Sequence, residues 1–293
     1  MRWTPGGTSR NIEDRRGSSG GGFAGGGFPV GPGMGLGGIV VLVLALLFGG
    51  NVFDGGDEGT DPNAPTATRG GEVAIDESPE ERERVQFVSF VLDDAQNFWT
   101  QALPQAGAPY RDAKLVLFRR RVNSACGSAE AAMGPFYCPI DEKVYIDLGF
   151  YDELQRRFGA PGDFAQAYVL AHEIGHHVQN VLGEAGRVRE MQERRPDQAN
   201  ELSVRLELQA DCLAGVWANH AEQRYKFLDP GDIDAALQTA SAIGDDMLQR
   251  RAQGRVVPDS FTHGTSEQRK RWFSTGFREG TIKACNTFAA AQL

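Results

Sequence analysis

The strongest chemical signal in the chain is a short run, His172-Glu173-Ile174-Gly175-His176, which is an H-E-x-x-H motif. Positions i and i+4 share one face of a helix, so both imidazoles can reach a single metal ion. Glu173 stands one step round that helix, where it can serve as general base for a zinc-activated water. The plainer reading is a hydrogen-bonded pair of core histidines. The motif falls in a strongly apolar stretch, where unpaired His and Glu side chains are expensive to bury, and this favours the metal. Gly175 costs helix stability, about 1 kcal/mol, and a smooth surface between the two ligands would account for it. His177, at i+5 from His172, points off the metal face and reads as a packed or hydrogen-bonded side chain.

A zinc peptidase needs a third protein ligand and an open position. A third His just after the motif fails, because the corresponding positions are Gln179 and Leu182. A Glu from a following helix is the other common solution, and Glu207-Leu208-Gln209-Ala210-Asp211 supplies it. Glu207 and Asp211, at i and i+4, point at one neighbour. Glu207 would bind zinc, and Asp211 would accept the distal N–H of a zinc-bound His. Small residues beside them, Ala210, Ala214, Gly215 and Ala218, let two helices approach closely. Glu201, His220 and Asp197 are rival third ligands, and a solvated acidic face is the alternative reading of Glu207 and Asp211.

Helices must carry these residues. Phe164, Ala167, Ala171, Ile174, Val178 and Val181 keep helical spacing, and Gly183 can end that helix. Leu202, Leu206, Ala210, Leu213 and Trp217 mark a second, over roughly 197–224. A third is expected from Asp232 to near Gly254, and Thr265-x-x-Gln268 is a capping box for a fourth, over about 266–276. Upstream, 80–103 reads as an amphipathic helix, followed by strand candidates Lys114–Val122 and Lys143–Leu148. An edge strand at Val144–Leu148 is expected to hold a peptide by strand addition.

The chain has 293 residues with net charge −9, which argues against a nucleic-acid partner. Its 37 glycines crowd the first sixty residues. Residues 1–33 read as a disordered Gly-rich cytoplasmic tail, 34–53 as an uncharged transmembrane helix, 54–79 as an acidic flexible linker, and 80–293 as the catalytic domain. A signal peptide and a buried core helix are the rivals for 34–53. The flanks carry +2 before the apolar segment and −7 between Asp54 and Glu80. That bias keeps the N-terminus in the cytoplasm and the catalytic domain outside it. An oxidising compartment then favours disulfides, with Cys126–Cys138 and Cys212–Cys285 as the preferred pairing over four reduced thiols.

His172-Glu173-Ile-Gly-His176-His177-Val-Gln, with Glu207-Leu-Gln-Ala-Asp211-Cys212-Leu-Ala-Gly, resembles the bacterial "putative neutral zinc metallopeptidase" family. Gly134-Pro-Phe-Tyr-Cys138-Pro and Thr262-His263-Gly-Thr-Ser-Glu-Gln-Arg269 belong to the same resemblance, which covers roughly 80–290 and the anchor. It implies a single-pass bacterial membrane protein and a Glu-liganded zincin. The His263 segment is also similar to the Thr-His-Pro…Arg segment of integral-membrane zinc proteases of the prenyl-protein-protease type, where a late His points into the active site. Gly264 stands here where that segment has proline. On this likeness His263 would hydrogen-bond the oxyanion; the alternative is that it helps cap the following helix.

The expectation is therefore an α+β, zincin-like, mainly helical domain with a small sheet, preceded by one transmembrane helix. Its cofactor is Zn2+, its partners a peptide or protein substrate and the bilayer. Its reaction is peptide hydrolysis with no covalent intermediate. Two other functions compete: a membrane-tethered binding or chaperone-like module with a structural zinc, and a zinc hydrolase of a non-peptide amide such as a cell-wall cross-link.

Overall fold

Helix signals dominate from residue 149 onward, and the computed structural model follows them; it describes residues 1–17, 75, 77–131, 134–158 and 162–293. In chain order the elements are β1 (Ile12–Asp14), α1 (Pro79–Ala102), β2 (Lys114–Phe118), β3 (Arg121–Ser124), β4 (Gly127–Glu130), β5 (Phe136–Cys138) and β6 (Lys143–Asp147). Seven further helices follow: α2 (Gly149–Phe158), α3 (Asp163–Val181), α4 (Glu184–Arg194), α5 (Ala199–Tyr225), α6 (Asp232–Ala242), α7 (Asp245–Gln253) and α8 (Ser266–Glu279). The α+β expectation holds: helices build most of the described residues, with a small four-stranded sheet and a separate two-stranded β3–β4 hairpin beside them.

That sheet has four strands in the order β1-β2-β6-β5. β1, β2 and β6 are parallel, and β5 runs antiparallel to β6 with Tyr137 opposite Val144. Two expectations are corrected here. The segment Val144–Leu148 is not an edge, because β6 lies between β2 and β5 and is buried on both sides. The edge strands are β1 and β5, and β5 is the one beside β6. The long strand at Lys114–Val122 also breaks in two, because Arg120 adopts a left-handed φ of 65° between β2 and β3.

The helix expected from Asp232 to Gly254 is likewise two helices, α6 and α7, split at Ile243-Gly244. Gly244 faces the backbone of Ser266, where an added Cβ would lie 2.5 Å from the amide nitrogen. The close approach of the α8 N-terminus therefore requires glycine there. The capping box of α8 is present as expected, with Thr265 and Gln268 bonded reciprocally.

Residues 1–17 overturn the expectation of a disordered tail, which holds for none of them. Ile12, Glu13 and Asp14 pair with Leu115, Val116 and Leu117. Trp3 packs edge-on against Phe87 at 5.3 Å and donates to Asp163 at 3.1 Å. Arg16, with its side chain 3% exposed, pairs with Asp14, Glu77 and Glu81. Among the described residues no helix is long and apolar enough to cross a membrane. The stretch 34–53, the rest of the tail and most of the expected linker lie outside the described residues. The folded part resumes earlier than expected, with Ser78 capping α1.

The core packs α1, α3, α5 and α8 around Leu92, Trp99, Phe164, Leu170, Trp217 and Phe273. Both expected disulfides are formed. Cys126–Cys138 staples the β3–β4 hairpin to β5, and Cys212–Cys285 ties α5 to the C-terminal turn.

Candidate metal centre

Helix α3 carries His172, Glu173 and His176 across its middle, and α5 lies against it carrying Glu207 and Asp211. The approach depends on small residues. A Cβ on Gly175 would stand 3.0 Å from the Ala210 carbonyl, so the two backbones nearly touch beside the motif. Gly215 has a different task from the one expected: its missing Cβ makes room for the α8 backbone at Phe273 and Phe277. α5 is thus clasped by α3 on one side and by α8 on the other.

The three expected ligands converge. His172 Nε2 is 3.1 Å from His176 Nε2 and 3.3 Å from Glu207 Oε2, and His176 Nε2 is 3.5 Å from Glu207 Oε1. Ligand atoms about 2.0–2.1 Å from a tetrahedral zinc stand about 3.3 Å apart, so the donor set has the spacing the ion requires. Among the described residues this is the group of His, Cys, Asp or Glu side chains assembled so closely. Glu201, Asp197 and His220 are not in it.

The outer hydrogen bonds fix which ring nitrogen faces the centre. His172 Nδ1 lies 2.8 Å from Asp211 Oδ1, and a carboxylate only accepts, so Nδ1 holds the proton. His176 Nδ1 donates to Gln179 Oε1 at 2.9 Å, and Gln179 is oriented by donating its own amide to the Leu206 carbonyl and Gln209. Two Nε2 lone pairs and a carboxylate therefore point at one place. Such a place demands a cation. Burial lowers the His172 pKa, but the charge and hydrogen bond of Asp211, with Glu207, outweigh it and raise it to about 10.

Asp211 is the hub behind the ligands. It is fully buried and accepts from His172, from Tyr168 at 2.5 Å and from Arg269 at 2.8 and 2.9 Å. Burial pushes its pKa up, yet Arg269 and His172 pull it down to about 2. Arg269 also reaches the Ile243 carbonyl, so it joins α8 to the end of α6. Glu173 is buried on the same helix, and burial raises its pKa against the pull of His176 and His172. A base whose carboxyl sits above its ordinary value is closer to the working range for proton transfer.

His263 is 8% exposed and close enough to Glu207 for each charge to shift the other's titration. Its Nδ1 donates to Asp245 Oδ1 at 3.0 Å, while Asp245 Oδ2 accepts the backbone N–H groups of Thr262, His263 and Gly264. Burial lowers the His263 pKa, and Asp245 with Glu207 raises it overall. The side chain takes no part in the capping box of α8, which Thr265 and Gln268 form, while Asp246 accepts the N–H of Ser266.

Sequence reasoning did not find Asp245, Tyr168 or the orienting role of Gln179. Gln179 had a local signal, three residues beyond His176 on the same helix. Tyr168 had a similar one, four residues before His172 on that helix, although its partner Asp211 is 43 residues away; Asp245 had none, since His263 is 18 residues away. His177, as expected, is off the metal. Its Nε2 donates to the Arg111 carbonyl at 2.6 Å, and Nδ1 accepts from Tyr137 at 2.9 Å.

The sequence matches the family described as "putative neutral zinc metallopeptidase" over residues 1–288. It is 47% identical to "Uncharacterized protein YpfJ" of Escherichia coli strain K12, over 98% of this chain and 99% of that one. It is also 42% identical to "Uncharacterized protein Rv2575" of Mycobacterium tuberculosis strain H37Rv, over 67% of each chain. No solved structure matches it.

Proposed function

We propose that this chain, which belongs to the "putative neutral zinc metallopeptidase" family, is a zinc-dependent peptidase with His172, His176 and Glu207 as its metal ligands. The observation that carries this reading is the convergence of two imidazole lone pairs and a carboxylate beside a buried glutamate. A structural zinc alone would need no such glutamate.

When bound, zinc supplies a Lewis acid to water and to the substrate carbonyl. Glu173 takes the proton of the attacking water and passes it to the leaving amine. Asp211 and Gln179 hold the two imidazoles in the tautomer that leaves Nε2 free for the ion. His263, fixed through Nδ1 by Asp245, offers Nε2–H to the developing oxyanion. An extended substrate pairs with the open edge of β5, which runs beside α3. The paired metal helices and the flanking sheet support a zincin-like arrangement. Bilayer contact through 34–53 belongs to the same proposal and rests on the composition of that stretch.

The test uses the purified full chain, its zinc content and a peptide library with and without chelator. Glu173→Gln is expected to keep one zinc per chain and lose turnover by roughly 10²–10⁴. His263→Ala is expected to lower kcat by roughly 10²–10³ at nearly constant KM and constant zinc. Full zinc in the His172→Ala/His176→Ala double variant, or undiminished turnover in Glu173→Gln, sinks the reading.

A further inference from the structure

Residues 1–17 precede the apolar stretch 34–53, and residues 77–293 follow it. We infer that both lie on the same side of any membrane the chain contacts. A single crossing by 34–53 would place them on opposite sides, and the fold joins them too thoroughly for that.

The joining is of three kinds. β1 is a strand of the sheet itself, with Leu115 N–H donating to Asn11 O at 2.8 Å and Arg15 N–H donating to Leu117 O at 2.8 Å. Trp3 is wedged against α1 and hydrogen-bonded to the first residue of α3. Arg16 is buried between Asp14 and two acids from beyond the apolar stretch, Glu77 at 2.8 Å and Glu81 at 2.9 Å. Arg16 and Glu77, on either side of the apolar stretch in sequence, are therefore neighbours in the fold. Removing residues 1–17 would also strip the outer edge of β2 and take Arg16 from half-buried Glu77 and Glu81, leaving Glu81 with Arg119.

The charge bias that favoured a cytoplasmic N-terminus has another explanation in the same contacts. Arg2 pairs with Asp229 at 3.2 Å, Arg10 with Asp112 at 3.9 Å, and Arg16 with Glu77 and Glu81, all acids of the catalytic unit. Arg15 pairs with Glu13, which also binds Lys143. These arginines serve the fold, and their positive charge is matched within it. The two disulfides favour an oxidising compartment for the unit, and residues 1–17 share whichever side it occupies. The inference is independent of the proposed chemistry.

It is tested by labelling the full chain in spheroplasts with a membrane-impermeant maleimide, before and after permeabilisation. Arg10→Cys and Arg121→Cys place single thiols at side chains 89% and 67% exposed, and the native cysteines are all paired. The two variants are expected to give the same labelled fraction before permeabilisation. Labelling of one in intact spheroplasts and of the other only after permeabilisation overturns the inference. A double-mutant cycle checks the docking itself. Glu13→Gln and Lys143→Gln each lower Tm, and the double variant is expected to lose less than the sum of the two if β1 is docked as described; strictly additive losses overturn the docking.

Discussion

The two walls of the proposed cleft are built on opposite principles. On the helical wall, α3, α5 and α8 meet backbone to backbone at Gly175, Gly215 and Gly276, and the buried charges of Asp211, Arg269 and His172 satisfy one another. On the sheet wall, β5 is a short edge strand, the β3–β4 hairpin is largely exposed, and Ile140 just beyond β5 is 67% exposed. The first wall holds the three proposed ligands in place before anything binds. The second leaves backbone donors and acceptors open for a partner. Rigid ligands beside an adaptable strand are what a peptidase needs if it must hold zinc closely and admit many sequences.

The largest expected effect attacks the helical wall at its hub. Asp211→Ala leaves Arg269 and His172 as buried charges without their acceptor, which costs about 3–5 kcal/mol. Zinc affinity is expected to fall roughly 10–100-fold, since the hydrogen bond that orients His172 is lost. Equilibrium unfolding and zinc titration check the two arms. An Asp211→Ala protein of normal Tm would mean that the hub does not organise this wall.

The disulfides compare the walls directly. Cys212–Cys285 closes a 73-residue separation, and loop entropy puts its loss at about 4 kcal/mol; Cys126–Cys138 closes 12, for about 3 kcal/mol. Cys212 adjoins Asp211, so replacing that pair by serine is expected to weaken zinc binding as well. Replacing Cys126 and Cys138 is expected to leave zinc content intact and raise KM. Equal effects on zinc from both pairs would erase the distinction between the walls.

How much of this was legible in the sequence follows the same division. The proposed ligands His172 and His176, and likewise Glu207 and its partner Asp211, stand at i and i+4 on their helices, so periodicity alone brings each pair together. The capping box of α8 is local and was read correctly. The sheet was read poorly because its order depends on pairings far apart in sequence: β6 looked like an edge, and only its position between β2 and β5 shows otherwise. The three-residue β1 is too short for alternation to reveal, and its glycine-rich surroundings masked Trp3, Asn11 and Arg16 as packing residues. Asp245 escaped for a similar reason, since nothing near it in sequence points to His263.

A pH series separates proton from metal at the same centre. The His172 pKa in the metal-free protein is raised to about 10. A raised folded-state pKa adds stability that is full below the unfolded value of about 6.5 and is lost as pH rises towards 10. Chelated protein is therefore expected to lose Tm across that window. Zinc affinity runs the other way, rising about tenfold per pH unit while one proton must be displaced. Calorimetry of chelated protein and zinc titration at several pH values check both slopes. Slopes of the same sign would show that His172 is not the protonated ligand.

The smallest effect tests the brace between the walls. Tyr137 on β5 donates to His177 Nδ1 at 2.9 Å and accepts from Asn180 at 3.2 Å, both on α3. His177 is fully buried, and burial holds its pKa down, so its ring is neutral and Nδ1 needs a donor. Tyr137→Phe removes that donor while keeping the ring's edge contact with His177 at 5.4 Å between centroids. The expected cost is about 1 kcal/mol, the worth of one buried hydrogen bond. Zinc content is expected to stay unchanged, because neither residue touches the ligands. If β5 receives the substrate, a loosened strand raises KM while kcat holds. A lowered Tm with unaltered KM would remove β5 from the cleft and leave the helical wall as the whole of the recognised site.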